Sequence, residues 1–135
     1  MAKIDPTAPC PCGSGLIYKE CCGQYHGGKF APTPEALMRS RFSGYALNQL
    51  DYIMLTTHPD HPQYRKDRAA WRKDLLQFTQ STVFAGLKIL NAEGNTVTFH
   101  AILFQDGEDT SYVERSRFEQ HEERWKYHSG ERLSR

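Results

Sequence analysis

The chain has 135 residues, enough for one domain with a core of its own and little more. At 39% hydrophobic and 24% charged residues it falls outside the disordered and fibrous classes, and its net charge of +1 excludes a strong whole-molecule field for nucleic acid or a lipid surface. No apolar run approaches the ~20 residues that a membrane span needs. The opening MAKIDPTAPC holds one lysine and no apolar stretch, unlike a secretory leader. The expected location is the cytoplasm, where thiols stay reduced.

All four cysteines fall in one short segment, CPCGSGLIYKECCG, as Cys10, Cys12, Cys21 and Cys22. Three readings compete. Two disulfides suit neither a reducing compartment nor the strain of a vicinal bridge. A dithiol redox site at Cys10-Pro-Cys12 would work through a lowered thiolate pKa and without metal. A four-thiolate zinc site fits best, because zinc takes four ligands tetrahedrally and a Cys₄ set closes its coordination. Gly13 and Gly15 can take positive φ and let the chain wrap round an ion directly after Cys12. Backbone N–H groups there, with Ser14, are placed to offset thiolate charge. Pro11 stiffens the first pair, and Lys19 partly compensates the thiolates. His26 is the second choice of ligand, in place of Cys22.

A module over residues 1–26 is followed by a linker, 27–33, marked by Gly27-Gly28 and Pro32. Thr33 reads as a helix N-cap, with Pro34 in the first helical position and Glu35 in the first turn. A helix runs from there to about Asn48, carrying Leu37, Met38, Arg41, Phe42 and Tyr45. A short helix fits Asp51 to Thr57, and His58-Pro-Asp-His-Pro makes a turn. A third helix fits Arg65 to Phe78, with Trp71, Leu75 and Phe78 on its apolar side.

After Thr79 the period changes to two. Val83, Ala85, Leu87 and Ile89 alternate through one strand, and Val97, Phe99, Ala101 and Leu103 through the next. Tyr112 to Gln120 forms a third strand and Arg124 to His128 a fourth. Helices first and strands later predict an α+β domain over residues 34–135, with helices packed on one face of an antiparallel sheet.

A curved sheet under helices leaves a pocket at its open end. Tyr112, Glu114, Ser116 and Phe118 share one strand face, which puts a carboxylate in an otherwise apolar row. Glu114 is the candidate acid or base, with His58 and His100 as candidate partners. The bland alternative is a core acid satisfied by Arg or Ser. No Ser-His-Asp order, phosphate loop or His-Glu metal helix is present, so the reading leans away from an enzyme.

The cysteine segment CPCGSGLIYKECCGQYH resembles a SEC-C motif, the short zinc-binding module of the SecA translocation ATPase. APTPEALMRSRFSGYAL, LDYIMLTTHP, YVERSRFE and RWKYHSG extend the likeness to the YchJ family of uncharacterised bacterial proteins. The resemblance covers Cys10 to about Gly130. It departs where many members have Trp before the His-Pro, since Thr57 stands there. It implies zinc on Cys10, Cys12, Cys21 and Cys22, and a middle domain of the cystatin-like, or nuclear-transport-factor-two-like, cone fold. It also implies contact with a protein or the ribosome through the zinc module. Lys19, Lys29, Arg39 and Arg41, beside or just after the cysteines, would form the basic contact face. The expectation is thus a zinc-stabilised interaction protein. Its rival is a small-molecule enzyme or binder that uses the cone pocket.

Overall fold

A computed structural model describes residues 4–134; residues 1–3 and 135, the outer ends of the expected module and domain, lie outside the described residues. The cysteine segment folds as a small hairpin, with Pro9 bridging Ile17, followed by a single 3-10 turn at Tyr18–Glu20. Four helices follow: α1 (Cys22–His26), α2 (Pro34–Ala46), α3 (Leu50–Leu55) and α4 (Arg68–Gln80). Then come β1 (Val83–Glu93), β2 (Thr96–Gln105), the two-residue β3 (Glu108–Asp109), β4 (Tyr112–His121) and β5 (Arg124–Ser134). The strands pair antiparallel with one another, in the order β1-β2-β4-β5, with β3 beside β2. The fold is α+β, with the helices on one face of the sheet, as the element order implied.

Local chemistry sets the helix ends. Thr33 Oγ1 accepts a hydrogen bond from the Ala36 N–H at 3.1 Å, and Pro34 occupies the first helical position. At the other end of α2, Asn48 takes φ 58°, Gln49 N donates to Gly44 O and Asn48 N to Tyr45 O. That paired bonding is a left-handed cap of the Schellman type, which stops the helix just short of the expected end. Asp67 caps α4 by accepting from the Ala70 N–H, so the helix begins at Arg68, three residues later than expected. Helix α3 starts at Leu50 and ends at Leu55, shifted slightly from the expected Asp51 to Thr57.

Helix α2 is buried on several sides: Leu37, Met38, Ser40, Arg41, Phe42, Ser43 and Gly44 are all covered. It lies between the cysteine module, α3 and the sheet, so it has no single apolar stripe. The main core joins Leu37, Met38, Phe42 and Tyr52 to Leu87, Val97, Phe99, Ala101, Leu103 and Phe118. A smaller one joins Leu50, Ile53 and Met54 to Trp71 and Leu75, between α3 and α4.

The first strand departs from simple alternation. The register shifts between Phe84 and Gly86, so Phe84 and Leu87 turn inward while Val83 is 63% exposed and Ala85 points out. A bulge inserts one unpaired residue and flips the face that follows it. A second shift, between Ile89 and Asn91, comes before the strand runs on to Glu93, leaving only Gly94-Asn95 as the hairpin loop. Strand β5 runs six residues past its expected end at His128 and pairs with β4 as far as Ser134, with register shifts at His128 and Leu133.

The β4–β5 hairpin closes on Glu122 and Glu123, both at positive φ (54° and 68°). A two-residue hairpin turn of this kind favours Asn-Gly, and left-handed backbone costs a side-chain-bearing residue about 1–2 kcal/mol. Glu122 is tied to Lys126, whereas Glu123 is exposed. Glu123→Gly should therefore raise stability by about 1 kcal/mol, seen as a higher urea midpoint at unchanged slope. A lower midpoint would contradict the strain ascribed to this turn.

Candidate metal centre and cone pocket

The hairpin at residues 9–17 and the start of α1 bring the four thiols together. Cys10 N donates to Leu16 O at 3.0 Å, and Gly13 and Gly15 take φ 78° and 89°, the positive values the wrap requires. All four cysteines are free thiols whose sulfurs lie within 4.8 Å of one another. Cys12 and Cys21 sulfurs are 3.6 Å apart, and Cys21 and Cys22 3.9 Å. Four thiolates about 2.3 Å from a zinc ion stand about 3.8 Å apart, so the donor set and its spacing fit a tetrahedral, thiolate-binding metal.

The surroundings favour thiolate at Cys12. Ser14 Oγ is 3.2 Å from the Cys21 sulfur, and the Arg39 Nη1 group donates to Cys12 O at 3.0 Å while lying 4.0 Å from the Cys12 sulfur. Hydrogen bonds from Cys10 and Cys22, and the Ser14 N–H, hold the Cys12 thiol far below its ordinary pKa. Its hydrogen bond to Cys12 pushes Cys10 up to about 11. One negative sulfur among shared protons is the arrangement a metal cation would replace.

His26 is not available as a ligand. Its Nε2 sits 2.8 Å from Ser40 O, which ties α1 to α2, and its Nδ1 2.5 Å from the Tyr18 hydroxyl in the 3-10 turn, so both nitrogens are used. The expected basic face is likewise redrawn. Lys19 and Lys29 are exposed, but Arg39 turns back to Cys12 and pairs with Glu35 at 3.1 Å. Arg41 is buried, with Nη1 donating to Ile53 O, Thr56 Oγ1 and Thr57 Oγ1 at 2.8 to 3.1 Å. Arg41 falls in the helical row of Leu37, Met38 and Phe42, so an inward turn was open from residue order, and its carbonyl and hydroxyl partners decide it.

The second site is a cavity of about 660 Å³ between α2, α4 and the inner face of the sheet. Helix α4 reaches the sheet through Phe78, whose ring is 5.7 Å from that of Phe84, and the space beneath stays open. Its walls include Phe42, Trp71, Leu75, Phe99, Ala101 and Leu103. Polar groups converge at one end. Glu114 Oε2 accepts from Ser116 Oγ at 2.6 Å and from the Tyr127 hydroxyl at 2.9 Å, while Oε1 has Arg132 Nε 3.7 Å away. The Arg41 guanidinium lies 4.9 Å from the Tyr127 ring centre. Burial, then the Glu114 charge, pushes the Tyr127 hydroxyl well above the usual tyrosine range, and burial raises Tyr112 to about 12. Tyr127 therefore stays protonated and donates.

Glu114 lies on the inner face with Ser116 and Phe118, as alternation implied, but its candidate partners do not. His100 neighbours the buried Phe99 in β2 and so points to the opposite face. His58 is zipped to the outer edge of β5, its N–H donating to Tyr127 O at 2.9 Å, and does not line the cavity. The histidine that does is His61, its pKa lowered by burial and then by the Arg41 charge. The His-Pro-Asp-His-Pro turn offered both histidines, and only its path across the sheet edge decides which one faces inward. Thr110 was missed too: its buried hydroxyl has no partner and borders the cavity.

Residues 33–130 match the YchJ middle NTF2-like domain and residues 7–24 the SEC-C motif. The chain belongs to the YchJ family. A UPF0225 protein of Deinococcus radiodurans is 44% identical to this YchJ-family chain over 124 residues, covering 90% of it and 88% of the relative. One from Bordetella pertussis is 40% identical, covering 96% and 98%. The solution structure of a SEC-C motif-containing protein from Rhodopseudomonas palustris superposes with a TM-score of 0.76 at 35% identity, covering 93% of this chain and 98% of that one. A SEC-C motif-containing protein from Psychrobacter arcticus shares the fold, with a TM-score of 0.69 at 22% identity, covering 92% and 82%.

Gly130 pairs with Ser116 and leaves room for the carboxylate: a Cβ there would fall on Glu114 Oε2, and 2.5 Å from the Tyr127 hydroxyl. Gly130→Ala should thus displace Glu114 from its two donors. The expected loss is about 1–3 kcal/mol in urea unfolding, with an upfield or downfield shift of the Tyr127 ring signals as the local sign. An unchanged midpoint would mean that Glu114 is not held as described.

Proposed function

We propose that this YchJ-family chain binds a small molecule in the cone pocket, and that zinc on Cys10, Cys12, Cys21 and Cys22 braces the α2 wall of that pocket. The observation that carries the reading is the cavity itself: apolar and aromatic walls that converge on a carboxylate, a buried guanidinium, a tyrosine hydroxyl and an imidazole. Sites of this volume and composition accommodate compact organic ligands, with a few polar groups fixing orientation.

The chemistry of the ligand follows from the lining. A flat, largely apolar body suits the space between Phe42, Trp71, Leu75 and Phe99. Its polar end should offer an N–H or O–H to Glu114 Oε1, whose Arg132 Nε neighbour stands 3.7 Å away, and a second group further along the cavity should accept from the unpartnered Thr110 hydroxyl. His61, neutral near pH 7 because burial lowers its pKa, is placed beside Glu114 to take or give a proton at a bound group.

A second reading keeps the zinc module as a contact surface for a protein or the ribosome. Its support is Leu16, half exposed on the cysteine hairpin, together with the outward Lys19 and Lys29. The pocket reading is preferred because two of the four cations expected on that surface are used internally.

Two experiments test the proposal. Trp71 lines the cavity, so its fluorescence should report binding of aromatic probes such as anilinonaphthalene sulfonate. Ala101→Trp would fill the space and should weaken probe binding at least tenfold with the fold intact by circular dichroism; equal binding would remove the pocket from consideration. Purified protein should carry one zinc per chain, and Cys12→Ser should lose it and loosen the cysteine segment, while β2 and β4 amides keep their exchange protection. Stoichiometric zinc retained by that variant would defeat the four-cysteine assignment.

A further inference from the structure

Outside both sites, three histidines from separate parts of the chain meet at the edge of β5. The segment after α3 is stitched to that edge: Tyr127 N donates to Thr56 O at 2.8 Å, His58 N to Tyr127 O at 2.9 Å, and Thr57 forms a parallel bridge with Tyr127. His128 is the unpaired residue of a bulge between the Phe118–Tyr127 and Arg117–Ser129 pairs, and it does not line the cavity. As a result the His58 ring centre lies 4.9 Å from that of His128 and 5.0 Å from that of His121. Asp60 joins them, its N–H donating to His58 Nδ1 at 3.0 Å and its carboxylate 3.9 Å from the same nitrogen.

We propose that His58, His128 and Asp60 form a second metal site, for a divalent transition ion, with His121 as a further imidazole at its border. One ligand atom from each of the three residues lies within 4.8 Å of the others, close enough for a single ion to gather them. The donor set differs in kind from the cysteine cluster. Imidazole and carboxylate suit nickel, copper or zinc without thiolate, and three protein ligands leave positions open for water.

The surroundings have the features of a ligating histidine's environment. Metal-bound imidazoles pass their other nitrogen to a carboxylate or carbonyl. Glu119 Oε2 stands 3.8 Å from His128 Nε2. Lys126 Nζ donates to His121 Nδ1 at 3.1 Å and to Glu122 Oε1 at 3.0 Å, which keeps His121 at the border of the site. His58 is buried and its ring packs edge-on against those of His121 and His128, so it is held in place before any ion arrives. The same loop continues to His61 and Gln63 at the cavity, so an ion here would pin one rim of the pocket to the sheet.

The test is titration of the purified full chain with Ni²⁺, followed by calorimetry, and with Cu²⁺, followed by electron paramagnetic resonance. One Ni²⁺ should bind per chain without the near-ultraviolet absorption of a thiolate complex, and Cu²⁺ should show splitting from imidazole nitrogens. His58→Gln and His128→Gln should each weaken Ni²⁺ binding roughly tenfold or more, whereas His100→Gln, on a different strand, should not. His128 is only partly buried, so its variant carries the test if the His58 variant fails to fold. Absence of binding in the wild type, equal affinity in the His128 variant, an equal loss in the His100 variant, or a thiolate absorption band would each overturn the proposal.

Discussion

The buried guanidinium of Arg41 is the interaction on which the two ends of this domain depend. A full charge inside a small core is costly unless its protons are taken up. Here Nη1 is shared among Ile53 O, Thr56 Oγ1 and Thr57 Oγ1, which fixes α2 to the C-terminal end of α3. One of the residues so held, Thr56, also accepts the Tyr127 N–H through its carbonyl, and Thr57 forms the bridge to the same strand. Through that chain of contacts, one arginine places the loop carrying His58, Asp60 and His61, and with it the rim of the cavity. Glu114 supplies the opposite charge in the same space, with the Tyr127 ring and hydroxyl standing between the two.

The cysteine module meets α2 on its other side. His26 bonds to Ser40 O, Arg39 reaches Cys12, and Gly44 lets α3 approach so closely that a Cβ would lie 3.2 Å from Ile53 Cδ1. Helix α2 is thus clamped between a thiol cluster and a ligand-sized cavity. Its own sequence is only weakly patterned because every side of it has a neighbour. A metal at the thiols would stiffen the wall that carries Met38, Arg41 and Phe42 into the cavity. This gives a physical reason for a zinc-type module and a cone domain to share one short chain.

Much of this was legible from residue order. Thr33-Pro34-Glu35 signals a helix start through its own side-chain and backbone chemistry, and the alternation Val97, Phe99, Ala101, Leu103 marks a half-buried strand. The four clustered thiols and the glycines at 13 and 15 announce a wrapped site, because that chemistry is local. The first strand was less legible: a bulge at Ala85 moves Phe84 inward and Val83 outward, and a bulge is decided by the strand opposite. The left-handed Glu122-Glu123 turn escapes notice for the same reason, since the pairing of β4 with β5 imposes angles that glutamate would not choose.

Sequence alone determined the order of elements, the gathering of Cys10, Cys12, Cys21 and Cys22, and the face on which Glu114 stands, since each rests on spacing within a few residues. Tertiary structure alone decided the partners. It sent Arg41 inward, turned Arg39 onto Cys12, used both nitrogens of His26, chose His61 over His58 and His100 for the cavity, and set His58 against His121 and His128. The reason is distance along the chain. A side chain's periodic position fixes its direction from the backbone, but which group waits there depends on segments tens of residues away, brought together only when the sheet curves under α2.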